Sequence, residues 1–130
     1  MVALKSLLFQ DADMWAPLAA CSPAELDRLE FGVIGFDTDT VVRIYSQTES
    51  QLSGLAPERV LGQRMFTVVA PCMNNFMVAQ RFEDAAAQAE ALDATIDYVL
   101  TLRMRPIKVL LRLLAQPGQA MRYVLVQRRA

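Results

Sequence analysis

The residues of this chain best suited to chemistry are one cysteine and three polar side chains upstream of it. A Tyr-x-x-x-Glu-x-x-x-Ser spacing places Tyr45, Glu49 and Ser53 at intervals of four residues. On a helix such residues share one face, so a phenol and a carboxylic acid could donate hydrogen bonds to a single oxygen atom. Burial would raise the pKa of Glu49 and keep it a proton donor, and hydrogen bonds to an anionic oxygen are short and strong. Cys72 could tether the other end of a ligand, so these are the groups that a covalently held, ionised aromatic ligand would need.

Each of these residues also has a simpler interpretation. A lone cysteine in an apolar run, such as Cys72, is usually a small buried residue. Tyr45 would more often be a core residue at the end of a strand. Glu49, within the polar run Ser-Gln-Thr-Glu-Ser, would more often be a solvated surface acid. The spacing alone therefore does not decide between a ligand pocket and ordinary packing.

Composition excludes several classes of protein. The 130 residues fit one domain, and a hydrophobic content of 54% argues against disorder. The absence of histidine removes Ser-His-Asp and Cys-His nucleophiles and most zinc sites. A net charge of -1 without a long basic run does not favour nucleic-acid binding. Ordinary hydrolytic enzymes are therefore disfavoured.

Location and cysteine chemistry give a second set of expectations. No apolar run reaches the roughly 18 residues needed to span a bilayer, and the first ten residues make a poor secretory signal. We therefore expect a cytoplasmic protein with no membrane partner. Cys21 and Cys72 lack a metal-type spacing, and a disulfide between them is not expected in a reducing compartment.

The N-terminal half is predicted to contain helices around one β-hairpin. Residues 1–29 are predicted to be a helical segment, in which Ser22-Pro23-Ala24-Glu25 is a helix start. We expect residues 1–28 to form an N-terminal helical cap over the outer face of the sheet, with residues 29–130 as the core domain. Residues 31–36 and 41–45 are short apolar runs joined by a polar turn, which predicts a hairpin. Residues 45–54 and 57–61 are helix-compatible.

The C-terminal half changes from helical to alternating periodicity. Residues 73–92 are predicted to be a helix, with Phe76, Ala79, Phe82 and Ala86 on its apolar face. Residues 95–104, 107–113 and 122–127 then alternate as strands. The order β-β-α-α-α-β-β-β implies an α+β fold with a five-stranded antiparallel sheet.

The sequence pattern also predicts which individual side chains lie in the core and which lie on the surface. Phe9 and Trp15 are expected to pack the N-terminal segment onto the sheet. Four methionines are expected to fill the core: Met65, Met73, Met77 and Met104. Four basic residues are expected on the exposed face of a hairpin: Arg103, Arg105, Lys108 and Arg112.

Several segments together resemble the photoactive yellow protein family, which are small bacterial light sensors of the PAS superfamily. The resemblance runs over residues 26–128, about three quarters of the chain. It rests on the order and spacing of the following segments: Ile44-Tyr45-Ser46-Gln47-Thr48-Glu49, Val60-Leu61-Gly62-Gln63-Arg64-Met65-Phe66, Val69-Ala70-Pro71-Cys72, Pro106-Ile107-Lys108-Val109 and Tyr123-Val124-Leu125-Val126. It implies a PAS fold.

The resemblance also implies a cofactor and the residues that bind it. In that family a cysteine carries p-coumaric acid (4-hydroxycinnamic acid) as a thioester, and the matching residue is Cys72. A tyrosine and a glutamic acid hold the phenolate of the chromophore, and here they are Tyr45 and Glu49. A threonine that hydrogen-bonds this tyrosine matches Ser53, which keeps the hydroxyl group.

Two residues of the pocket depart from the family pattern. Leu55 stands where the family has an arginine that covers the pocket. Leu100 stands where the family has a phenylalanine on the side of the sheet. The resemblance therefore implies the same binding chemistry within a different pocket wall.

The function that the resemblance implies is a blue-light photoreceptor. Light would isomerise the tethered ligand, and Glu49 would give its proton to the phenolate. An unpaired carboxylate would remain in a low-dielectric site, at high cost. Loosening of the N-terminal segment would then signal to an unknown downstream protein. For the oligomeric state, both a monomer and a weak homodimer stay open.

Two other functions fit the same residues. One is a PAS module without photoactivity that binds a different ligand or a protein partner. The other is a thioester carrier in aromatic acyl metabolism, with Cys72 as the carrier.

Overall fold

The computed structural model describes residues 7–101 and 106–128. In chain order the strands are β1 (Gly32–Phe36), β2 (Val42–Tyr45), β3 (Leu92–Leu100), β4 (Ile107–Ala115) and β5 (Arg122–Arg128). The α-helices are α1 (Trp15–Ala20), α2 (Pro23–Asp27), α3 (Gln47–Ser53), α4 (Pro57–Val60) and α5 (Ala79–Gln88). A π-helical turn (Met65–Val69) and a 3₁₀ turn (Pro71–Met73) lie between α4 and α5.

The strands form one antiparallel sheet in the order β2-β1-β5-β4-β3. The first and last strands therefore lie side by side in the middle of the sheet, where β1 pairs with β5. In that pairing Gly32 lies opposite Val126, and Ile34 lies opposite Val124. The predicted five-stranded antiparallel sheet is confirmed.

Side chains on the two faces of the sheet enter two separate apolar cores. On β5, Val124 and Val126 point into the core that α5 and the turns at 65–73 cover, which we call the pocket face. Tyr123 and Leu125 point into a core shared with the N-terminal segment, which we call the cap face. Alternation along a strand produces this division.

The cap face is covered as the sequence predicts. Phe9 packs edge-on against Phe31, with ring centroids 5.8 Å apart. Trp15 packs against Tyr123 at 5.2 Å. Ser22 caps α2 through a complete capping box, because its side chain accepts from the Glu25 amide while the Glu25 carboxylate accepts from the Ser22 amide. The boundary between cap and core domain at residue 28 stays a prediction.

The helix that carries Glu49 begins later than the spacing argument assumed. The Ser46 side chain accepts a hydrogen bond from the Glu49 amide and caps α3, which ends at Gly54 with a φ of 79°. Tyr45 therefore ends β2 and does not lie on the helical turn that carries Glu49 and Ser53. The predicted hairpin of β1 and β2 is confirmed.

The predicted helix over residues 73–92 is wrong at both ends. The Asn75 side chain accepts from the amides of Met77 and Val78, so a turn occupies the donors that a helix would use. As a result Phe76 lies outside α5 and is 79% exposed. At the other end β3 already begins at Leu92. On α5 itself the buried residues are Ala79, Phe82 and Ala85, while Ala86 is exposed.

Two assignments of exposure are also wrong. Arg112 was expected on an exposed hairpin face, but it is buried on the cap face, where its alternation on β4 places it beneath the N-terminal segment. Met77 is partly exposed, because the chain before α5 is not helical, whereas Met65 and Met73 are buried as expected. Lys108 is exposed as expected. The assignments of Leu102, Arg103, Met104 and Arg105 lie outside the described residues.

Candidate functional site

Tyr45 lies at the end of β2 with its hydroxyl group held by α3. The Tyr45 side chain is buried, and its Oη lies 2.7 Å from Ser53 Oγ. Ser53 Oγ also accepts from the Leu55 amide at 3.1 Å. Burial raises the pKa of Tyr45 to about 12, while the hydrogen bond with Ser53 opposes the rise. Tyr45 therefore remains a proton-bearing phenol, fixed in orientation, at neutral pH.

Glu49 is a buried acid and not a surface acid. It is 2% exposed, and its carboxylate accepts two hydrogen bonds from one guanidinium group. Arg128 Nη1 donates to Oε1 at 2.8 Å, and Arg128 Nη2 donates to Oε2 at 3.1 Å. Gly32 makes room for this pair, because a Cβ atom added there would overlap Glu49 Oε1.

The charge of Glu49 results from two opposing effects. Burial raises the pKa of Glu49, and the hydrogen bonds and charge of Arg128 oppose the rise. Acceptance from both Nη atoms of one guanidinium group is the bidentate arrangement that favours an ionised carboxylate. In this structure the carboxyl group is paired, because Arg128 faces it from β5.

Tyr45 and Glu49 do not converge on one atom in this structure, because each has its own partner. The two groups are nevertheless electrostatic neighbours. The charge of Glu49 contributes to the raised pKa of Tyr45, and the charge of Arg128 acts in the opposite direction. The site thus combines a phenol, a carboxylate and a guanidinium group at one end of the pocket face.

Cys72 lies in the 3₁₀ turn and packs, half-buried, against the core of the pocket face. Its carbonyl group is held from two directions. Tyr98 Oη donates to the Cys72 carbonyl oxygen at 2.5 Å, and Asn75 Nδ2 donates to it at 3.1 Å. Asn75 Nδ2 also donates to Tyr98 Oη at 2.6 Å. The backbone at Cys72 is therefore fixed to β3.

The second cysteine lies on the other side of the sheet. Cys21 packs against the core of the cap face, and its thiol donates to the Pro17 carbonyl oxygen at 3.3 Å. Burial raises the pKa of the Cys21 thiol. Both cysteines are free, and only Cys72 borders the core that contains Tyr45.

The two residues that depart from the family pattern also border this core. Leu100 is buried within it, and Leu55 is partly buried against it. Four of the six residues singled out from the sequence therefore border the core of the pocket face. Tyr45 and Leu100 lie in the core, Cys72 and Leu55 pack against it, and Ser53 and Glu49 lie beside Tyr45 on α3.

Sequence reasoning missed three polar residues of this region, which are Arg128, Tyr98 and Asn75. A signal for Arg128 was present, because the alternation of β5 places it on the same face as Val124 and Val126. The hydrogen bonds of Asn75 and Tyr98 to Cys72 depend on a turn that periodicity does not describe.

Comparisons with known proteins place this chain in a family. No protein-family model matches the chain. Over 106 residues it is 30% identical to the photoactive yellow protein of Rhodothalassium salexigens, covering 82% of this chain and 84% of that protein. It is 33% identical over 101 residues to the photoactive yellow protein of Halochromatium salexigens, covering 78% and 80%. The chain belongs to the photoactive yellow protein family. The family predicted from the sequence is thus confirmed.

Solved structures agree with this membership. The photoactive yellow protein domain of the sensor histidine kinase Ppr from Rhodospirillum centenum superposes with a TM-score of 0.76 at 36% identity, covering 85% of this chain and 96% of that domain. The PAS domain of an HTR-like protein from Haloarcula marismortui superposes with a TM-score of 0.61 at 14% identity, covering 82% and 88%, and shows the fold alone. The predicted PAS fold is confirmed.

The similar domain of Ppr is part of a sensor histidine kinase. Within residues 7–101 and 106–128, none of the helices has both the length and the apolar character that crossing a membrane requires.

Proposed function

We propose that this chain is a blue-light photoreceptor that binds p-coumaric acid as a thioester on Cys72. The observation that carries the proposal is the arrangement of Cys72, Tyr45 and Glu49 around one buried core, on the side of the sheet away from Cys21. When bound, the p-coumaroyl group would supply visible absorption and light-driven isomerisation. Membership of the photoactive yellow protein family supports this choice of ligand.

The polar groups present fit an anionic ring oxygen. A buried phenolate needs donors in place of the water that it loses. Tyr45 supplies a phenol whose pKa of about 12 keeps it protonated, and Ser53 Oγ orients that phenol. Arg128 supplies a positive charge beside Glu49. These donors suit a phenolate, whereas a neutral aliphatic ligand would offer them no hydrogen-bond acceptor.

The residues of the chain divide the work in this proposal. Cys72 Sγ forms the thioester, on a backbone that Tyr98 and Asn75 hold in place. Tyr45 Oη donates to the ring oxygen. Glu49 carries a proton on one Oε atom in the dark and releases it after illumination. Leu55 and Leu100 exclude water from the pocket.

The proposed output is a change in the N-terminal segment that an unknown signalling protein recognises. This segment packs on the cap face through a few aromatic contacts and one buried arginine. Peripheral elements of this kind have the lowest local stability in a domain. The similar domain of Ppr belongs to a sensor histidine kinase, which supports a protein partner for this chain also.

The test is to load the purified protein with activated p-coumarate and to compare Cys72→Ala with Cys21→Ala. We expect wild type and Cys21→Ala to gain one p-coumaroyl mass and an intense visible band, and Cys72→Ala to gain neither. Equal labelling of both variants would refute the attachment site. A colourless wild type with a free Cys72 would favour a binding module without photoactivity, and transfer of the acyl group to an acceptor would favour a carrier.

A further inference from the structure

The ion pair between Glu49 and Arg128 is less exposed and has more hydrogen bonds than a typical surface ion pair. The side chains are 3% and 14% exposed, and both carboxylate oxygens are engaged. Gly32 is needed to let the carboxylate approach β1. Within the described residues, Arg128 Nε is buried and has no hydrogen-bond acceptor. The guanidinium group therefore keeps one donor free for a further acceptor.

Arg128 also connects two parts of the molecule. One side of its guanidinium group meets Glu49 on the pocket face. Its side chain also lines a groove of about 700 Å³ beneath the N-terminal segment, whose wall includes residues 7–11, Glu30 and Leu52. Arg128 thus lies between the pocket and the segment that covers the sheet.

A count of charges shows what a phenolate would do here. Glu49 and Arg128 together are neutral when the carboxyl group is ionised. A phenolate placed beside Tyr45 would add one negative charge to a buried site, which is costly without a counter-charge. If Glu49 takes up one proton, Arg128 balances the phenolate instead and the site remains neutral.

We propose that Arg128 is the counter-ion of this pocket: it pairs with ionised Glu49 in the unloaded protein and balances the phenolate once Glu49 is protonated. This inference rests on the proposed function. The proton balance is internal, because the O–H bond of the ring hydroxyl breaks, an O–H bond forms at Glu49 Oε, and Arg128 keeps its own protons. Release of that proton after illumination lets Glu49 pair with Arg128 again.

The groups that determine the titration of Glu49 are few. Tyr45 faces it from β2, and Arg128 faces it from β5. Asp11 and Glu30 line the groove on the other side of Arg128. With a pKa of about 12, Tyr45 does not change charge near neutral pH. Removal of Arg128 should therefore act on Glu49 directly.

The first test uses unloaded protein, so it does not depend on the chromophore. Infrared spectra with ¹³C-labelled glutamate, assigned by Glu49→Gln, report the carboxyl group as a function of pH. We expect Glu49 to be ionised at pH 7 in wild type and in Arg128→Lys, and protonated in Arg128→Met. Arg122→Met, on the same strand and face but not paired with Glu49, is the matched control and should resemble wild type.

Two results would overturn the inference. One is a protonated Glu49 at pH 7 in unloaded wild type. The other is an unchanged Glu49 titration in Arg128→Met that keeps its near-ultraviolet circular dichroism. If Arg128→Met does not fold, Arg128→Lys and wild type still decide, because a protonated Glu49 in either would contradict a counter-ion role.

The second test uses loaded protein and follows the visible band with pH. Loss of the positive charge of Arg128 should raise the apparent pKa of the bound phenol by about one unit or more. In Arg128→Met the phenol should therefore bind its proton at least about tenfold more tightly. Arg122→Met should not change this affinity, and an unchanged affinity in Arg128→Met would contradict the inference. A failure to load Cys72 would refute the proposed function and leave the result on unloaded protein intact.

Discussion

The two faces of the sheet each contain an arginine that forms two hydrogen bonds to a carboxylate. On the cap face, Arg112 Nε and Nη2 donate to Asp93 Oδ1 and Oδ2 at 2.8 and 2.9 Å. On the pocket face, Arg128 pairs with Glu49 at 2.8 and 3.1 Å. Both pairs are bidentate, but Arg112 donates through Nε and Nη2, whereas Arg128 donates through its two Nη atoms. The burial of the anion also differs. The side chain of Asp93 is 46% exposed, whereas that of Glu49 is 3% exposed.

The difference in burial gives the two pairs different properties. Arg112 Nη1 also donates to the carbonyl oxygens of Phe9 and Asp11, so it holds the N-terminal segment to β4. Its anion faces water. Glu49 depends on Arg128 for its charge, because burial alone raises its pKa. The Arg112 pair, which we call the latch, therefore holds the N-terminal segment in place. The Glu49–Arg128 pair can change its charge state when a ligand enters.

Removal of the latch should have the largest effect on stability. Arg112→Met leaves the carbonyl oxygens of Phe9 and Asp11 without their donor, at about 1–3 kcal/mol for each buried group. We expect the free energy of unfolding to fall by about 2–4 kcal/mol, with faster hydrogen exchange in residues 7–30. Lys108→Met, at an exposed position of the same strand, is the control. Equal protection of the N-terminal segment in both variants would show that Arg112 is not a latch.

The pH dependence of stability should report the charge of Glu49. The pKa of Glu49 is raised in the folded state, so its stabilising contribution is complete below its unfolded pKa and is lost as pH rises through the folded value. The loss is about 1.4 kcal/mol for each unit by which the two pKa values differ. Urea unfolding of unloaded protein should show this trend in wild type relative to Glu49→Gln, and more strongly in an Arg128→Met background. A difference that is flat between pH 4 and 9 in that background would contradict the account.

Gly32→Ala should disturb the pocket pair and leave the latch intact. The new Cβ atom would overlap Glu49 Oε1, so the carboxylate must move away from Arg128. Overpacking of this kind costs about 1–3 kcal/mol. Gly35→Ala lies on the same strand, but its Cβ atom would meet Ile44 and Met121 and not Glu49. The infrared band of Glu49 should change in Gly32→Ala alone, and a change in neither variant would place the carboxylate elsewhere.

The smallest effect is expected at Leu55. Leu55→Arg adds a second cation near a site that already contains Arg128, so the apparent pKa of the bound phenol should fall only slightly. The fall should be smaller than the rise caused by Arg128→Met. Titration of the visible band measures both shifts, and a rise or no change in Leu55→Arg would indicate that this side chain does not reach the pocket.

The features that could be predicted from the sequence are those that depend on residues close together in the chain. The capping box at Ser22 and the alternation of β3, β4 and β5 follow from local rules, and the structure contains them. The pair of Glu49 and Arg128 could not be predicted in the same way. Its members are 79 residues apart, and only the pairing of β1 with β5 brings them together.

Local rules also failed where a side chain competes with the backbone. Asn75 accepts from two amides and delays the start of α5, although the composition of the segment favours a helix. Arg112 was expected to be exposed because arginine is rarely buried without partners. Its partners are the carbonyl oxygens of residues about a hundred positions earlier, which no local pattern shows.

The charge of Glu49 in the loaded protein tests the central claim most directly. A light-minus-dark infrared difference spectrum of the loaded protein detects its carboxylic C=O group, and Glu49→Gln assigns the band. The account predicts a protonated Glu49 in the dark that is lost on illumination, and a dark-state absorption of Glu49→Gln at longer wavelength. An ionised Glu49 in the dark, together with an unshifted visible band in Glu49→Gln, would contradict the account.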